Sequence, residues 1–437
     1  MTTLAEVRLW GTTIGAVALE EGDGTAAFQF DPAFTRSGIQ VAPLMMPLAS
    51  TIYQFPELPR DTFHGLPGML ADSLPDRFGN QLINAWLATQ GRTPASFNAV
   101  ERLCYTGSRG MGALEFVPAT GPAANTSDPV SIDALVELAS RVLASRASLT
   151  GSFDEASKHD ALRAILSVGT SAGGARAKAV IAWNPTTNEV RSGQIDASSG
   201  FEYWLLKFDG VTNNKDKELT DPSGFGAIEY AYALMARAAG IRMSECRLFE
   251  EGGRRHFMTR RFDREPSGRK LHMQSLAALA HLDFNAAGAH SYEQAMLVIR
   301  RLGLPMEAIE EQFRRMAFNI IARNQDDHVK NIAFLMDRSG SWSLSPAFDV
   351  CFSYNPTGAW TGSHQMTLNG KRDGFTRGDF EACARAVALK RGGAGAILDE
   401  VGAATQQWPD FAAQAGVEPE RAHAIGTTFR SALHGRA

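Results

Sequence analysis

The stretch NQDDHVKN, residues 324–331, sets two adjacent carboxylates, a histidine, a lysine and two asparagines between apolar segments. RRMAFNIIAR precedes it and NIAFLM follows. A solvated loop would account for the polarity alone, so the reading turns on what the neighbouring elements bring to it. Upstream, Ile309, Phe313, Met316 and Ile320 repeat at 4-3-4 spacing, the stripe of an amphipathic helix with Pro305 in its first turn. Downstream, IAFLM-DRSG-SWSL alternates as a β-hairpin with a four-residue turn at Asp337–Gly340. In that register Met336 faces Ser341 and Ile332 faces Ser345. The hairpin then brings the chain back to the level of Asn331, with Asp349 a few residues on. Asp326, Asn331 and Asp349 converge, an oxygen-rich set suited to a hard divalent cation such as Mg²⁺.

Phosphoryl transfer uses the same parts. One carboxylate takes the proton of the attacking hydroxyl, an asparagine five residues later binds metal, and a further aspartate binds metal. Asp326 stands five residues before Asn331 and Asp327 four, so spacing assigns the base to Asp326. Asp327 is left to a backbone hydrogen bond or a pair with Lys330.

Bulk properties are those of an ordinary globular chain. The 437 residues carry 44% hydrophobic and 21% charged residues with a net charge of −4, enough chain for two or three domains or lobes. No global basic field is present to recruit nucleic acid or an anionic membrane. The first residues lack the pattern of a signal peptide, and no run of 18 apolar residues occurs, so a cytoplasmic protein without a membrane span is expected. Cys104, Cys246, Cys351 and Cys383 are scattered without metal-like spacing and read as buried reduced thiols.

Three regions are expected: residues 1–125 as an N-terminal accessory domain, 126–268 as a smaller lobe of strands, and 269–437 as a mostly helical lobe. EVRLWGTTIGAVALEEGDGTAAFQFDP reads as a meander turning at Gly11 and at 21–24, and DRFGNQLINAWLATQG as an amphipathic helix. The small, polar, Pro-containing segment 119–131 is the seam. Beyond it come two helices, the second ending near Ser167, and then strands at AVIAWN, EYWLLKFDG and a hairpin tipped by Gly252-Gly253. Past residue 270 the pattern is mostly helical.

The second region holds what an ATP site requires. VGTSAGGARAK, residues 168–178, is glycine-rich, so its backbone amides can approach phosphate closely, although it is neither a Walker A loop nor GxGxxG. Lys207 lies in an otherwise apolar strand, where a lysine either snorkels from an edge or contacts phosphate. Glu229 follows 22 residues later near the start of a helix with Ile228, Leu234 and Met235 toward the core. It is either a helix-dipole carboxylate or the partner of Lys207 in an ATP-orienting ion pair. FMTRRFD would lead to the hinge, where the backbones of Arg260 and Phe262 could meet adenine.

SAGGARAK, YWLLKFDG, IEYAYALMARAAGI, TRRFDR, NQDDHVKN and LSPAFDVCFSYNP fall in one order that resembles the HipA-type serine/threonine kinases of bacterial toxin–antitoxin systems. GTTIGAVALEEGDGTAAFQFD and MLADSLPDRFGN are similar to that family's accessory domain. The resemblance implies an α+β, bilobed, protein-kinase-like fold with a β-rich accessory domain and a helical C-terminal lobe, using ATP and Mg²⁺. It implies Asp326 as catalytic aspartate, Asn331 and Asp349 as metal ligands, Lys207 on the phosphates and His328 and Lys330 beside them. The glycine loop at Ser171, Ala172, Gly173 and Gly174 would cover the nucleotide, with Ser171 as an autophosphorylation site. It also implies a helix-turn-helix (HipB-like) antitoxin partner, DNA reached mainly through that partner, and a protein substrate such as an aminoacyl-tRNA synthetase.

Without the resemblance, His328 is an ordinary ion-pair partner in a polar loop. Two other functions share these residues. One is a small-molecule kinase or AMP-transferase on the same fold. The other is a pseudokinase scaffold whose arginine-rich hairpin (Arg247, Arg254, Arg255, Arg260, Arg261, Arg264) touches the DNA backbone.

Overall fold

The structure, a computed structural model, describes residues 2–121, 130–144, 165–166, 176–194, 197, 199–211, 215–216, 219–220, 224–265 and 267–433. The expected glycine-loop residues Ser171, Ala172, Gly173 and Gly174 lie outside the described residues, as does most of the helix expected to end near Ser167.

Strands β1 (Thr2–Leu9), β2 (Thr12–Glu20), β3 (Ala27–Phe30), β4 (Ile52–Tyr53) and β5 (Leu114–Val117) form an antiparallel sheet in the order β4-β3-β2-β1-β5. Trp10 and Gly11 both take positive φ between Leu9 and Thr12, the two-residue turn that matches strand twist. Ala5, Val7 and Leu9 alternate into a core closed by the helix Ala99–Thr106. Asn98 and Glu101 start that helix with reciprocal side-chain-to-backbone bonds.

A second antiparallel sheet contains β6 (Lys178–Trp183), β7 (Val190–Ser192), β8 (Glu202–Lys207), β11 (Cys246–Glu251) and β12 (Arg254–Arg260) in the order β11-β12-β8-β6-β7. A short ribbon of β9 (Lys215–Asp216) and β10 (Leu219–Thr220) stands apart from it. The hairpin tipped by Gly252-Gly253 forms as expected. Helix Phe225–Ala238 lies between β10 and β11 in the chain, and its buried face (Ile228, Tyr232, Met235) joins the large core of the helical region. Of the expected core residues on this helix, Ile228 and Met235 are buried and Leu234 is half-buried.

The helical region centres on Met306–Ile321, which buries Ile309, Phe313, Met316 and Ile320 as the 4-3-4 spacing predicts. Pro305 is its N-cap, one position before the first turn. The pattern past residue 270 hides a third sheet, β13 (His272–Ser275), β14 (Ala333–Met336) and β15 (Trp342–Leu344), in the order β13-β14-β15. The hairpin register also needs correction: Met336 faces Trp342 rather than Ser341. Gly340 at φ 85° ends a turn closed by its amide on the Asp337 carbonyl, and the Asp337 amide bonds the Ser341 carbonyl, which draws Ser341 into the loop. Ser345 therefore bonds Ala333, not Ile332. The shift is one residue, and the hairpin still returns the chain to Asn331.

The N-terminal sheet region is bonded to the rest through several buried or half-buried contacts. Asp72 accepts from the Ser275 amide and hydroxyl, and Gly112 donates its amide to Asp263 at 2.7 Å. The Gly68 amide donates to His281 Nε2 at 3.0 Å. A Cβ on Gly68 would meet the Ala278 carbonyl at 2.3 Å, so only glycine allows this approach. No helix among the described residues is long and apolar enough to cross a membrane.

Candidate active site

β8 ends at Lys207, and Gly226 lets helix Phe225–Ala238 close on β12, since a Cβ there would meet the Arg255 carbonyl at 2.6 Å. That approach carries Glu229 beneath β8. Lys207 Nζ lies 2.5 Å from Glu229 Oε1 and 2.5 Å from Asp349 Oδ1, with Glu229 4% exposed and Lys207 14%. Burial opposes the lysine's charge, but Asp349 and Glu229 outweigh it and hold its pKa above that of an ordinary lysine. Asp349 is itself pushed up by burial, and Lys207 and Lys178 more than reverse this, leaving its carboxyl below the usual range. Lys207 is therefore neither snorkelling nor free, and Glu229 is its partner rather than only a helix-dipole carboxylate.

Asp349 takes φ 52° and Arg323, just before the polar stretch, φ 57°. Non-glycine residues in this region cost about 1–3 kcal/mol and persist where surrounding contacts over-determine them, a pattern typical of working sites. Residues 329–331 make one tight turn, and the Asn331 side-chain amide donates to the Asp326 carbonyl at 2.9 Å. That bond uses the nitrogen of Asn331 and leaves its oxygen for a cation. Asn331, His328 and Asp349 line one small cavity of about 30 Å³. One amide oxygen and one carboxylate fit Mg²⁺, which is usually held by one or two protein oxygens together with substrate phosphates.

The two adjacent aspartates have opposite surroundings. Asp327 is buried and accepts from Tyr292 Oη at 2.5 Å, from His364 Nδ1 at 2.7 Å and from the Gln365 amide at 2.7 Å. Burial alone would raise its pKa, but His364 and these donors hold the carboxyl below its usual range. It does not pair with Lys330, whose Nζ sits over the Phe284 ring at 4.7 Å. Asp326 is partly open, with 25% of its side chain exposed. Its amide donates to Ser353 Oγ at 3.0 Å, and Trp360 Nε1 donates to its Oδ1 at 2.6 Å. His328 Nε2 is 3.9 Å from the same oxygen, and its ring packs near Phe284.

Arg260 and Phe262 lie where β12 leaves the sheet. The Arg260 amide is taken by the Glu245 carbonyl at 2.8 Å, which removes it as a donor to adenine. Phe262 packs against Phe348, next to Asp349, with ring centroids 5.5 Å apart. The arginines of the hairpin are committed internally. Arg261 and Arg264 are buried on Asp263, Arg254 pairs with Asp133, Arg255 bonds the Ala415 and Gly416 carbonyls, and Arg247 and Arg260 pair with Glu245. Arg247, Arg254, Arg255 and Arg260 nonetheless keep their side chains partly exposed.

Tyr292, Ser353, Trp360, His364 and Gln365 join the site without having been found in the sequence. They act through contacts between segments far apart in the chain, which no local pattern marks.

The model of the HipA-like C-terminal domain family matches residues 170–408, and that of the HipA N-terminal domain matches residues 5–117. Among solved structures, the chain is similar to one from the toxin–antitoxin complex of HipA, HipB and operator DNA of Shewanella oneidensis MR-1. Identity is 16%, coverage is 98% of this chain and 95% of that one, and the TM-score is 0.67. It also overlaps the proinflammatory kinase CtkA of Helicobacter pylori at 10% identity, over 60% of this chain and 91% of that one, with a TM-score of 0.36. A TM-score that low does not establish a shared fold. No curated protein sequence matches the chain.

Proposed function

This chain belongs to the HipA family, and from that premise we propose that it is an ATP- and Mg²⁺-dependent kinase that phosphorylates serine or threonine on a protein. The observation that supports this most is the Glu229–Lys207–Asp349 cluster, with both contacts at 2.5 Å, beside a loop in which Asn331 is bonded to Asp326. Lys207, aligned by Glu229, holds the nucleotide phosphates. Asn331 and Asp349 hold the metal, which when bound neutralises charge on the phosphates. Asp326 takes the proton of the acceptor hydroxyl as its oxygen bonds the transferred phosphorus and the bond to the leaving diphosphate breaks. His328 and Lys330 flank the phosphates.

In this reading the chain is the toxin of a toxin–antitoxin pair. Its partner is a HipB-like helix-turn-helix antitoxin that carries the DNA contacts, consistent with the internally paired arginines of the β11–β12 hairpin. The protein substrate is a translation component such as an aminoacyl-tRNA synthetase, and Ser171 is an autophosphorylation site.

Asp326→Ala tests the assignment. Transfer of label from γ-labelled Mg-ATP should fall at least about 1,000-fold, as for loss of a group central to the chemistry. Nucleotide binding and melting temperature should stay near wild type. An Asp326→Ala chain that still transfers phosphate, while Asp327→Ala folds and does not, would reverse the two roles.

A further inference from the structure

Residues 353–365 leave Asp349 and return over the catalytic loop, bonding both aspartates and their neighbours. Ser353 Oγ accepts the Asp326 amide and donates to Asn324 Oδ1 at 3.1 Å. Gln325 Nε2 donates to the Thr361 carbonyl at 3.0 Å, and Gln365 Nε2 to the Gln325 carbonyl at 3.3 Å. Gln365 Nε2 also reaches the Trp360 carbonyl. The backbone around Trp360 is thus fixed from both sides, and its half-buried indole directs Nε1–H onto Asp326 Oδ1 at 2.6 Å.

The chemistry of that donor matters. An indole N–H donates only, has no acceptor and does not titrate in the working pH range. It can hold a carboxylate in one rotamer without competing for the proton that the carboxylate must accept. A hydroxyl or imidazole in the same place could take or give that proton. A bond to one oxygen of a carboxylate also separates its two oxygens by role.

We propose that Trp360 is a positioning residue for phosphotransfer: its indole N–H fixes Oδ1 of Asp326, so that Oδ2 receives the acceptor hydroxyl's proton. This rests on Asp326 being the base. In the proposed function Lys207, Asn331 and Asp349 hold the nucleotide and metal while Trp360 acts on Asp326, so its loss acts on turnover rather than on nucleotide binding.

Trp360→Phe keeps the ring and removes the donor, whereas Trp360→His restores a ring N–H. Steady-state kinetics with Mg-ATP should show kcat down about 10- to 100-fold in Trp360→Phe, the cost of a misplaced catalytic group. KM for ATP should stay within about twofold, as uniform nucleotide binding is untouched. Trp360→His should recover part of the lost kcat and only part, because its imidazole donates a ring N–H but also competes for the proton. The contact is also read without activity: the Trp360 indole N–H resonance, assigned by its absence in Trp360→Phe, should move in Asp326→Asn. Wild-type activity together with an equally active Trp360→Phe overturns the proposal alone. So does an equal loss in the Phe and His variants that tracks a fall in melting temperature. A wild-type chain that transfers no phosphate overturns the kinase reading and this one with it.

Discussion

Asp327 accepts three hydrogen bonds in a buried setting, and one donor, His364, in turn receives Arg430 on Nε2 at 2.9 Å. With Arg430 donating there, the imidazole proton sits on Nδ1, pointed at Asp327. Removing the carboxylate leaves buried donors unpaired, at about 1–3 kcal/mol for each group. Asp327→Ala should therefore lower the melting temperature markedly, whereas Asp326→Ala should leave it nearly unchanged. Thermal unfolding of the two variants side by side checks this, and equal melting temperatures would refute it. The five-residue spacing to Asn331 separated these neighbours in the sequence. The partners of Asp327 were not legible there, because Tyr292 and His364 lie 35 and 37 residues away and meet it only through the tertiary path of the chain.

Elements built on local pattern were legible: the N-terminal meander, the β11–β12 hairpin and helix Met306–Ile321 all form where periodicity placed them. Strand β13 was not, since four residues carry little alternation and its partner β14 lies about 60 residues away. The β14–β15 register slipped by one because Gly340 in the left-handed region admits an extra loop residue, which alternation alone does not reveal. Three histidines join elements as neutral groups. His256 Nδ1 accepts the Asp209 amide at 2.9 Å, His281 Nε2 accepts the Gly68 amide, and His272 is fully buried in β13. Burial pushes the pKa down to about 4 for His256 and His281 and to about 3 for His272. Folded-state values below the unfolded 6.5 mean that the unfolded chain binds more protons between them. Stability is then fully present above about pH 6.5 and falls as pH drops toward 4, by up to about 1.4 kcal/mol per pH unit for each histidine. Melting temperature should fall from pH 7 to pH 5, and His272→Phe should show a shallower fall. A wild-type melting temperature flat across that range would contradict this coupling.

Across the whole molecule, Asp76 and Lys178 form a 3.0 Å ion pair with each side chain 3% exposed. Asp76 caps helix Arg77–Thr89 on the N-terminal side, and Lys178 opens β6 directly opposite Lys207 on β8. Breaking a buried pair from one side typically costs about 3–5 kcal/mol, since it strands a charge. Asp76→Ala should lose that much in denaturant unfolding and, if Lys207 holds phosphate as proposed, weaken nucleotide binding, because Lys178 adjoins Lys207. A loss confined to stability would show the pair to be structural only. The overall α+β arrangement was legible because the motifs fall in family order along nearly the whole chain. The contacts that join its parts were not, because they rest on close approaches such as Gly68 on Ala278 and on buried pairs that no local pattern marks. In the function proposed above, these contacts serve one activity, the transfer of a phosphoryl group by Asp326 and its neighbours. Intact mass of the chain and of co-incubated proteins after exposure to Mg-ATP tests it most directly. A gain of one phosphate mass is expected with the wild-type chain and none with Asp326→Ala; a gain of a nucleotide mass, or no gain at all with the wild-type chain, would contradict it.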